Sequence, residues 1–458
     1  MLVAHGFPPE LLGGTEKNVE GLAHGLLRRG HEVVVVAGSM QWQDGFRVSH
    51  DEHQGIRVVR IHRADPFFDH WQKSHAHDVG AEFSKLLESE RPDVVHVHHW
   101  IRLSDDLVLR AARAGIPACV TLHDLWTSCL VTFRVRPETQ AFCEEPLAAS
   151  PCLGCASHVP PKTPWIDVLG QTTALFERKA ALVREITTAR GVIAPTVAHA
   201  RALGRFLGLG EDQVSLRVIP HGRDLQPADL GVVEGRPTRR ADAPGLVLGS
   251  WGHLHPLKGP DLLIDAVRLA GEGIQLHLAG GAVIPTFFDE LQERARGLDV
   301  HFHPAFDVGE LGRLPVTAVD AFVSGSRAHE SWGLVVDEAA ALGLPMVLPN
   351  KGAFPERLDP ARDPVRFYEA GSAEDLARVL VELRDGGLPA EALELARLVP
   401  DLDRHTDAVE ALYAEIRGLG APRVEPEDWF EAELAKRRRD AWDESLASRS
   451  GDELGFDA

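Results

Sequence analysis

Two carboxylates, Glu330 and Glu338, stand eight positions apart in the stretch Ser324 to Val347, SGSRAHESWGLVVDEAAALGLPMV. Between them the pattern predicts a helix that opens at Trp332 or Gly333 and ends near Leu342, with Gly343 just past its C-terminus. The first amides of a helix have no partner within it, so Gly333, Leu334 and Val335 offer N–H donors to an anion. Glycine at the first of these lets a phosphate approach without a Cβ in the way. The helix dipole alone contributes only ~0.3–1 kcal/mol, so holding a diphosphate needs a cation from elsewhere in the chain. Glu330 lies just before the helix and Glu338 about two turns along it. A carboxylate in a dry cleft accepts both hydroxyls of a sugar diol, so a ribose at one end and a hexose at the other would fit. On spacing alone, the same residues equally describe a solvated helix with two ordinary glutamates.

Other residues have chemistry in reach. In TLHDLW, His123 falls at the end of an apolar run, Ala118 to Leu122, where a sheet presents catalytic groups; a lone histidine is more often structural. His96, His98 and His99 (HVHHW) lie nearby, and strand alternation puts His96 and His98 on one face. No carboxylate is spaced to complete a metal site there. Cys129, Cys143, Cys152 and Cys155 form C-x13-C-x8-C-x2-C in a Pro-containing insertion, about 125–160. Four thiolates could enclose a structural zinc and stiffen a segment poor in apolar residues; reduced free thiols are the competing reading. Cys119, inside an apolar strand, reads as core. Gly13 and Gly14 precede a helix but do not form GxGxxG, so they give a nicotinamide site no support.

These groups hang on alternating strands and helices. Met1 to Phe7 is expected as a strand and PPELLGG as a loop. Thr15 is the expected cap of a helix whose stripe is Val19, Leu22, Ala23, Leu26 and Leu27. Strands follow at Val33–Val36, Val94–Val97, Ala118–Leu122, Val192–Ala194 and Val218–Ile219, with helices at Leu107–Ala114 and Val197–Leu207. A second series begins at Leu246–Leu248. It continues through a helix at Asp261–Ala270, strands at Gln275–Ala279 and Val300–Phe302, a helix between them at Phe287–Arg296, and strands at Val319–Val323 and Leu344–Leu348. Helices from Ala373, Ala390 and Thr406 close it. The expected domains are 1–223, a linker at 224–245 rich in Gly, Pro, Arg and Asp, 246–418, and an acidic helical tail at 419–458. Two doubly wound α/β domains of this kind face each other across a cleft and bind ligand at the carboxyl ends of their strands.

Composition narrows the field. The 458 residues are 44% hydrophobic and 25% charged, which suits two or three globular domains. A net charge of −20 argues against nucleic acid and against general adhesion to an anionic membrane. No apolar run reaches the ~18 residues a bilayer span needs. MLVAHGFPP lacks a basic n-region and a long apolar core, so it reads as a first strand rather than a signal peptide. The five cysteines then suit a reducing compartment, and the cytoplasm is expected.

The segment around Glu330 resembles the Glu-x7-Glu signature, of the form ESFGLVVLEAMAAGLPVV, of retaining glycosyltransferases with the GT-B fold, glycosyltransferase family 4 (glycosyl transferases group 1). Glu330, Gly333, Leu334, Val335, Glu338, Gly343 and Pro345 match it, and Trp332 stands where phenylalanine is usual. The resemblance covers roughly Met1 to Gly418. It implies transfer of a sugar from a UDP- or GDP-sugar to an acceptor hydroxyl with retention of configuration, in polysaccharide or glycoconjugate synthesis, and with no catalytic cofactor. The acceptor could be a carbohydrate, a lipid-linked oligosaccharide or a small metabolite, with at most weak peripheral membrane contact. It aligns Gly249 to Gly259, GSWGHLHPLKG, with the family's G-R-L-x-x-x-K-G loop, so Lys258 should meet the donor diphosphate. A point charge there offsets charge building on the leaving phosphate. The usual arginine is His253 here; histidine titrates near neutrality, which makes phosphate binding weaker or pH-dependent. By the same resemblance Gly13 and Gly14 face the donor phosphate from the other domain, and Glu338 holds the ribose diol. Glu330 orients the hexose, and His123 contacts the transferred sugar. An epimerase or hydrolase of the same fold and a catalytically silent sugar-nucleotide binder are the alternatives. A phosphorylase would need a pyridoxal lysine, for which the sequence offers no support.

Overall fold

In a computed structural model the chain is described for residues 1–63, 75–156, 158, 168–210, 214, 216–232, 245–282, 284–387 and 395–424. Its strands are β1 (Leu2–Ala4), β2 (Val34–Gly38), β3 (Arg47–His53), β4 (Ile56–His62), β5 (Val95–Val97), β6 (Ala118–Thr121), β7 (Gly191–Ala194) and β8 (Leu216–Val218), then β9 (Leu246–Trp251), β10 (Ile274–Ala279), β11 (Val300–His303), β12 (Ala321–Val323), β13 (Met346–Pro349) and β14 (Val365–Tyr368). The first eight form one sheet in the order β3-β4-β2-β1-β5-β6-β7-β8, and the rest a second in the order β11-β10-β9-β12-β13-β14. Strands such as β2 are buried along their whole length, as expected of sheets covered by helices on both faces. Each sheet therefore has two cores, one per face.

Most of the expected strands and helices form within a few residues of their sequence positions, and the Val197–Leu207 helix has the limits expected. The elements not anticipated include β3, β4, β14 and the helices His77–Glu90, Ala149–Ala156 and Val168–Thr188. β3 is exposed along most of RVSHDEH, so it lacks the apolar alternation that marks a strand. It pairs antiparallel with β4, a departure from the expected all-parallel sheet. At the first helix, Gly14–Arg28, the cap is Gly13 rather than Thr15. The Glu16 carboxylate reaches back to accept from the Gly13 N–H at 2.9 Å.

Two further departures concern the domain joints. Leu225 and Leu230, expected in a linker, are buried with Val247, Leu311 and Leu342 in the second domain's core. Residues 233–244 of that linker and 425–458 of the expected tail lie outside the described residues, as does the start of the helix expected from Ala390. The last described helix, Leu402–Leu419, begins before Thr406, with the Asp401 side chain accepting from the Arg404 amide. It packs on the first sheet: Val409, Leu412 and Ile416 share a core with Leu2, Val19, Cys119 and Ile193. Sequence order put this helix with the second series, but its apolar stripe fits the uncovered face of the first sheet. The chain thus crosses between domains twice, and the crossings bond to each other through Arg223 N–H to the Pro400 carbonyl (2.9 Å) and Leu402 N–H to the Asp224 carboxylate (3.0 Å).

Strand order reverses between β1 and β5 in the first sheet and between β9 and β12 in the second. Doubly wound sheets open their binding crevice at such reversals, beyond the carboxyl ends of the strands. Here those ends carry His5, His98, the loop Gly252–Lys258 and the loop Ser324–Glu330.

Candidate active site

A cleft of about 790 Å³ lies between the domains, lined by Gly13, Gly14, His123, Lys258, Glu330, Trp332, Gly333, Leu334 and Val335. The two domains' loops meet closely: a Cβ added at Gly14 would stand 3.2 Å from the Leu334 side chain. A smaller cavity of about 50 Å³ adjoins it, lined by His253, Trp251, Lys258, Glu330 and Val335, with His253 exposed at its rim. A separate groove of about 560 Å³ around Met1 and Arg417 is lined by none of these residues.

The geometry of the second-domain wall follows from two glycines. Gly259 sits at φ 63°, and a Cβ there would come within 2.0 Å of the Gly325 carbonyl. That approach seats the Lys258 turn against the Glu330 loop. Gly333 caps the helix Leu334–Ala341 at φ 82°, where a Cβ would lie 2.6 Å from the Phe354 ring. Left-handed backbone and lack of space both exclude a side chain there. Arg357, stacked 3.8 Å over the Trp332 ring, donates to the Trp332 carbonyl (2.9 Å) and the Gly333 carbonyl (3.3 Å). It also pairs with buried Asp337. The loop that presents the helix's first amides is therefore pinned from below.

Lys258 Nζ donates to Glu330 Oε1 at 2.7 Å, and the Ser326 hydroxyl donates to the same oxygen at 2.7 Å. Burial pushes the Glu330 carboxyl up, but the Lys258 ammonium and these hydrogen bonds outweigh it and hold it below its ordinary value. Glu338 is not on the cleft wall. It lies just beneath, 7% exposed, accepting from the Trp251 indole at 3.0 Å and from Arg223 at 3.4 Å. Burial raises its carboxyl against the pull of Arg223. Each oxygen has one donor, which leaves acceptor capacity on both.

The first-domain wall carries a run of imidazoles among other polar side chains. His98 Nδ1 and His123 Nε2 are 2.9 Å apart, and His123 faces His221 with ring centres 5.1 Å apart. Asn18 donates to His221 Nδ1 at 3.1 Å, and Trp332 meets the same ring edge-on from the second domain. Burial, then neighbouring imidazoles, holds His98, His123 and His221 well below the usual histidine value. His96 and His98 do share a face, their ring centres 4.0 Å apart. The domains are joined across the cleft by the Ser331 hydroxyl on the His123 carbonyl and by Thr196 on the Ser331 carbonyl (3.1 Å). Glu356 also accepts from the first amides of the Val197–Leu207 helix at 2.9 and 2.7 Å.

The structure thus brings together the cleft residues expected from sequence, sets Glu338 below them and puts His253 at the edge. Sequence reasoning missed Trp251, Arg223, His221, Asn18 and Arg357. Trp251 ends a strand that was expected, so its neighbourhood was legible; the others reach the site only through long-range packing. The cysteine insertion is more ordered than expected, with a bridge between Val135 and Phe142 and a helix at Ala149–Ala156. Its four cysteines are free thiols, as is Cys119, which is fully buried as expected. Among the described residues no group of three or more His, Cys, Asp or Glu side chains is arranged to hold a metal ion. Among the described residues no helix is long and apolar enough to cross a membrane.

Two facing doubly wound domains with a cleft at both strand reversals form the GT-B architecture. Comparison with known proteins agrees. The model of Glycosyltransferase Family 4 matches residues 12–227 and that of glycosyl transferases group 1 matches residues 245–385. The chain is 30% identical to a D-inositol 3-phosphate glycosyltransferase of Actinosynnema mirum over 71% of this chain and 73% of that protein. It is 26% identical to a GDP-mannose-dependent alpha-mannosyltransferase of Mycolicibacterium smegmatis over 89% and 96%. Among solved structures, HepE of Anabaena in complex with UDP-glucose superposes with a TM-score of 0.53 at 17% identity, covering 91% of this chain and 98% of that one. The chain belongs to glycosyltransferase family 4.

Proposed function

We propose that the chain transfers a sugar from a UDP- or GDP-sugar to an acceptor hydroxyl with retention of anomeric configuration, in polysaccharide or glycoconjugate synthesis. The observation that carries this reading is the meeting of Lys258, Glu330 and the Gly333–Val335 helix start at the wall of one interdomain cleft. The names of the relatives support it: one uses GDP-mannose, and HepE was solved with UDP-glucose.

In this reading the diphosphate lies on the amides of Gly333, Leu334 and Val335 and draws Lys258 away from Glu330. The ammonium then offsets charge building on the departing phosphate, in a site where water does not compete. Glu330, still held by Ser326, is released to accept from the hexose hydroxyls. Glu338 uses its spare lone pairs on the ribose diol, while Trp251 and Arg223 keep it oriented. The Gly13–Gly14 turn closes the phosphate site from the first domain, and His123 meets the transferred sugar on the acceptor side. No side chain acts as a nucleophile; the leaving phosphate helps deprotonate the incoming hydroxyl on the same face. His253 in place of arginine withdraws a permanent charge, which makes Lys258 the main cation of the clamp. No step runs through a metal, and the five free thiols suit the cytoplasm.

Incubation with radiolabelled UDP- and GDP-sugars, with and without acceptor, tests the reading. Nucleotide release that needs an acceptor supports transfer. Release of free sugar without one indicates hydrolysis, and binding without turnover indicates a silent binder. Glu338→Ala is expected to raise donor KM by about 100-fold or more, the loss of two hydrogen bonds to a charged group at about 1.5–3 kcal/mol each. Unchanged donor binding in that variant removes Glu338 from the ribose.

A further inference from the structure

His123 has two ring nitrogens, and only one can meet a sugar. Its Nε2 is taken by His98 Nδ1 at 2.9 Å. The ring centres are 5.2 Å apart and the planes differ by 26°, so the two rings meet edge to edge in nearly one plane. That leaves Nδ1 as the atom available to a ligand, and its character depends on which imidazole supplies the shared proton. If His123 supplies it, Nδ1 is a bare acceptor. If His98 supplies it, Nδ1 carries a hydrogen and is a donor.

His98 itself decides between these. Its other nitrogen, Nε2, is buried and has no hydrogen-bond partner. A neutral His98 that gave up Nδ1–H would have to carry its proton on Nε2, an N–H sealed away from every acceptor. Buried orphan donors are the rarer failing in folded proteins, and leaving a donor unmade forfeits its full desolvation free energy. Two protons on His98 would put a cation against the His96 ring, 4.0 Å away, in a pocket whose burial and imidazole neighbours oppose charge. His96 cannot relieve Nε2, because both its nitrogens are committed at 2.7 Å, one to the Tyr413 hydroxyl and one to Thr121.

We propose that His98 is a positioning residue: its Nδ1–H donates to His123 Nε2 and fixes His123 as the Nδ1–H tautomer, a hydrogen-bond donor aimed at a hydroxyl of the bound sugar. The proposal rests on the reading of the cleft as a sugar-nucleotide site. It assigns the recognised group a chemistry, an oxygen that accepts, and makes His98 necessary though it touches no substrate. Asn18 does the corresponding job at the next ring, where its amide donates to His221 Nδ1 and so puts the His221 proton on Nε2.

The test is a long-range proton–nitrogen correlation spectrum of the whole protein carrying isotopically labelled histidine, with His123 assigned by its loss in His123→Asn. The expected spectrum shows a protonated Nδ1 and a bare Nε2 at His123 without any ligand present. A protonated Nε2 there overturns the proposal, whatever the activity. With the donor sugar that the enzyme turns over, His98→Leu should lower kcat about tenfold, the loss of one oriented hydrogen bond, with donor KM little changed. His98→Asn, whose amide N–H stands near the Nδ1 position, should recover most of that loss. Equal defects in Leu and Asn variants, or a shift confined to KM, overturn the positioning role. If His123→Ala keeps full transfer while the spectrum is as expected, it is the broader assignment of His123 to the sugar that fails.

Discussion

Facing each other across the cleft are a wall of paired charges and a wall of neutral rings. On the second domain, Glu330, Asp337 and Glu338 each have a cation, Lys258, Arg357 and Arg223 respectively. On the first, His98, His123 and His221 are imidazoles in contact in series, each held below the usual histidine value by burial first and neighbouring imidazoles next. Glu330, paired with Lys258, is held below its ordinary value despite its burial, whereas a histidine surrounded by histidines gives its charge up. The difference suits a ligand with an anionic end and a hydroxyl-bearing end. Charge belongs where the phosphates go, and uncharged donors and acceptors belong where discrimination among hydroxyls is needed.

The largest expected effect that could break this contrast is at the charged wall. Lys258→Ala should lower kcat roughly 100–1000-fold, the scale measured for losing one oriented group that stabilises a developing oxyanion. Steady-state kinetics with a saturating donor would show it. A variant within a few-fold of the parent would mean that the cleft's amides suffice and that the ion pair with Glu330 is only structural.

Acid should separate the walls next. An imidazole depressed in the fold favours the folded state above its unfolded pKa of ~6.5 and withdraws that support as pH falls below it, because the unfolded chain binds the proton first. His5, His96, His98, His123, His199 and His221 are all lowered in this way, His199 to about 3. Glu185, pushed up to about 8 by burial, and Glu16, also raised by burial, work in the opposite sense, but they are two groups against six. The second domain has four lowered imidazoles, His255, His277, His303 and His329. Hydrogen exchange between pH 7 and 5, corrected for intrinsic rates, should therefore show β1, β5 and β6 losing protection before β12 and β13. Simultaneous loss in both sheets would show that the imidazole wall contributes no separate acid sensitivity.

The smallest effect concerns how the walls are held together. Phe142, from the cysteine insertion of the first domain, lies 3.4 Å beneath the Lys351 ammonium of the second. Burial lowers that lysine to about 8, with Glu144 pulling the other way. Such a contact contributes ~0.5–2 kcal/mol, so Phe142→Leu should raise donor KM a few-fold through easier opening and leave kcat near its parent value. A fall in kcat instead would mean that the insertion acts on the chemistry rather than on closure.

The anion site could be read from the chain because each of its parts is local. A helix start after Gly333, a glycine that needs left-handed backbone, and a lysine in a turn between strand and helix are all written in short windows. The same holds for the two alternating series that gave the architecture. β3 escaped because an exposed edge strand buries nothing and so shows no alternation. The closing helix was assigned to the wrong neighbour because an apolar stripe says that a helix packs, not where.

Sequence alone determined that Gly333, Leu334 and Val335 begin a helix next to Glu330, and that His123 ends a strand, since both follow from period and capping within a few residues. Only the tertiary structure decided that Trp251 and Arg223 hold Glu338 beneath the cleft, that Leu402–Leu419 returns to the first sheet, and that His98 reaches His123. Those pairs are separated by 25 to 115 positions or by a whole domain. Their meeting is fixed by strand order and by which sheet face remained uncovered, and no local pattern carries that information.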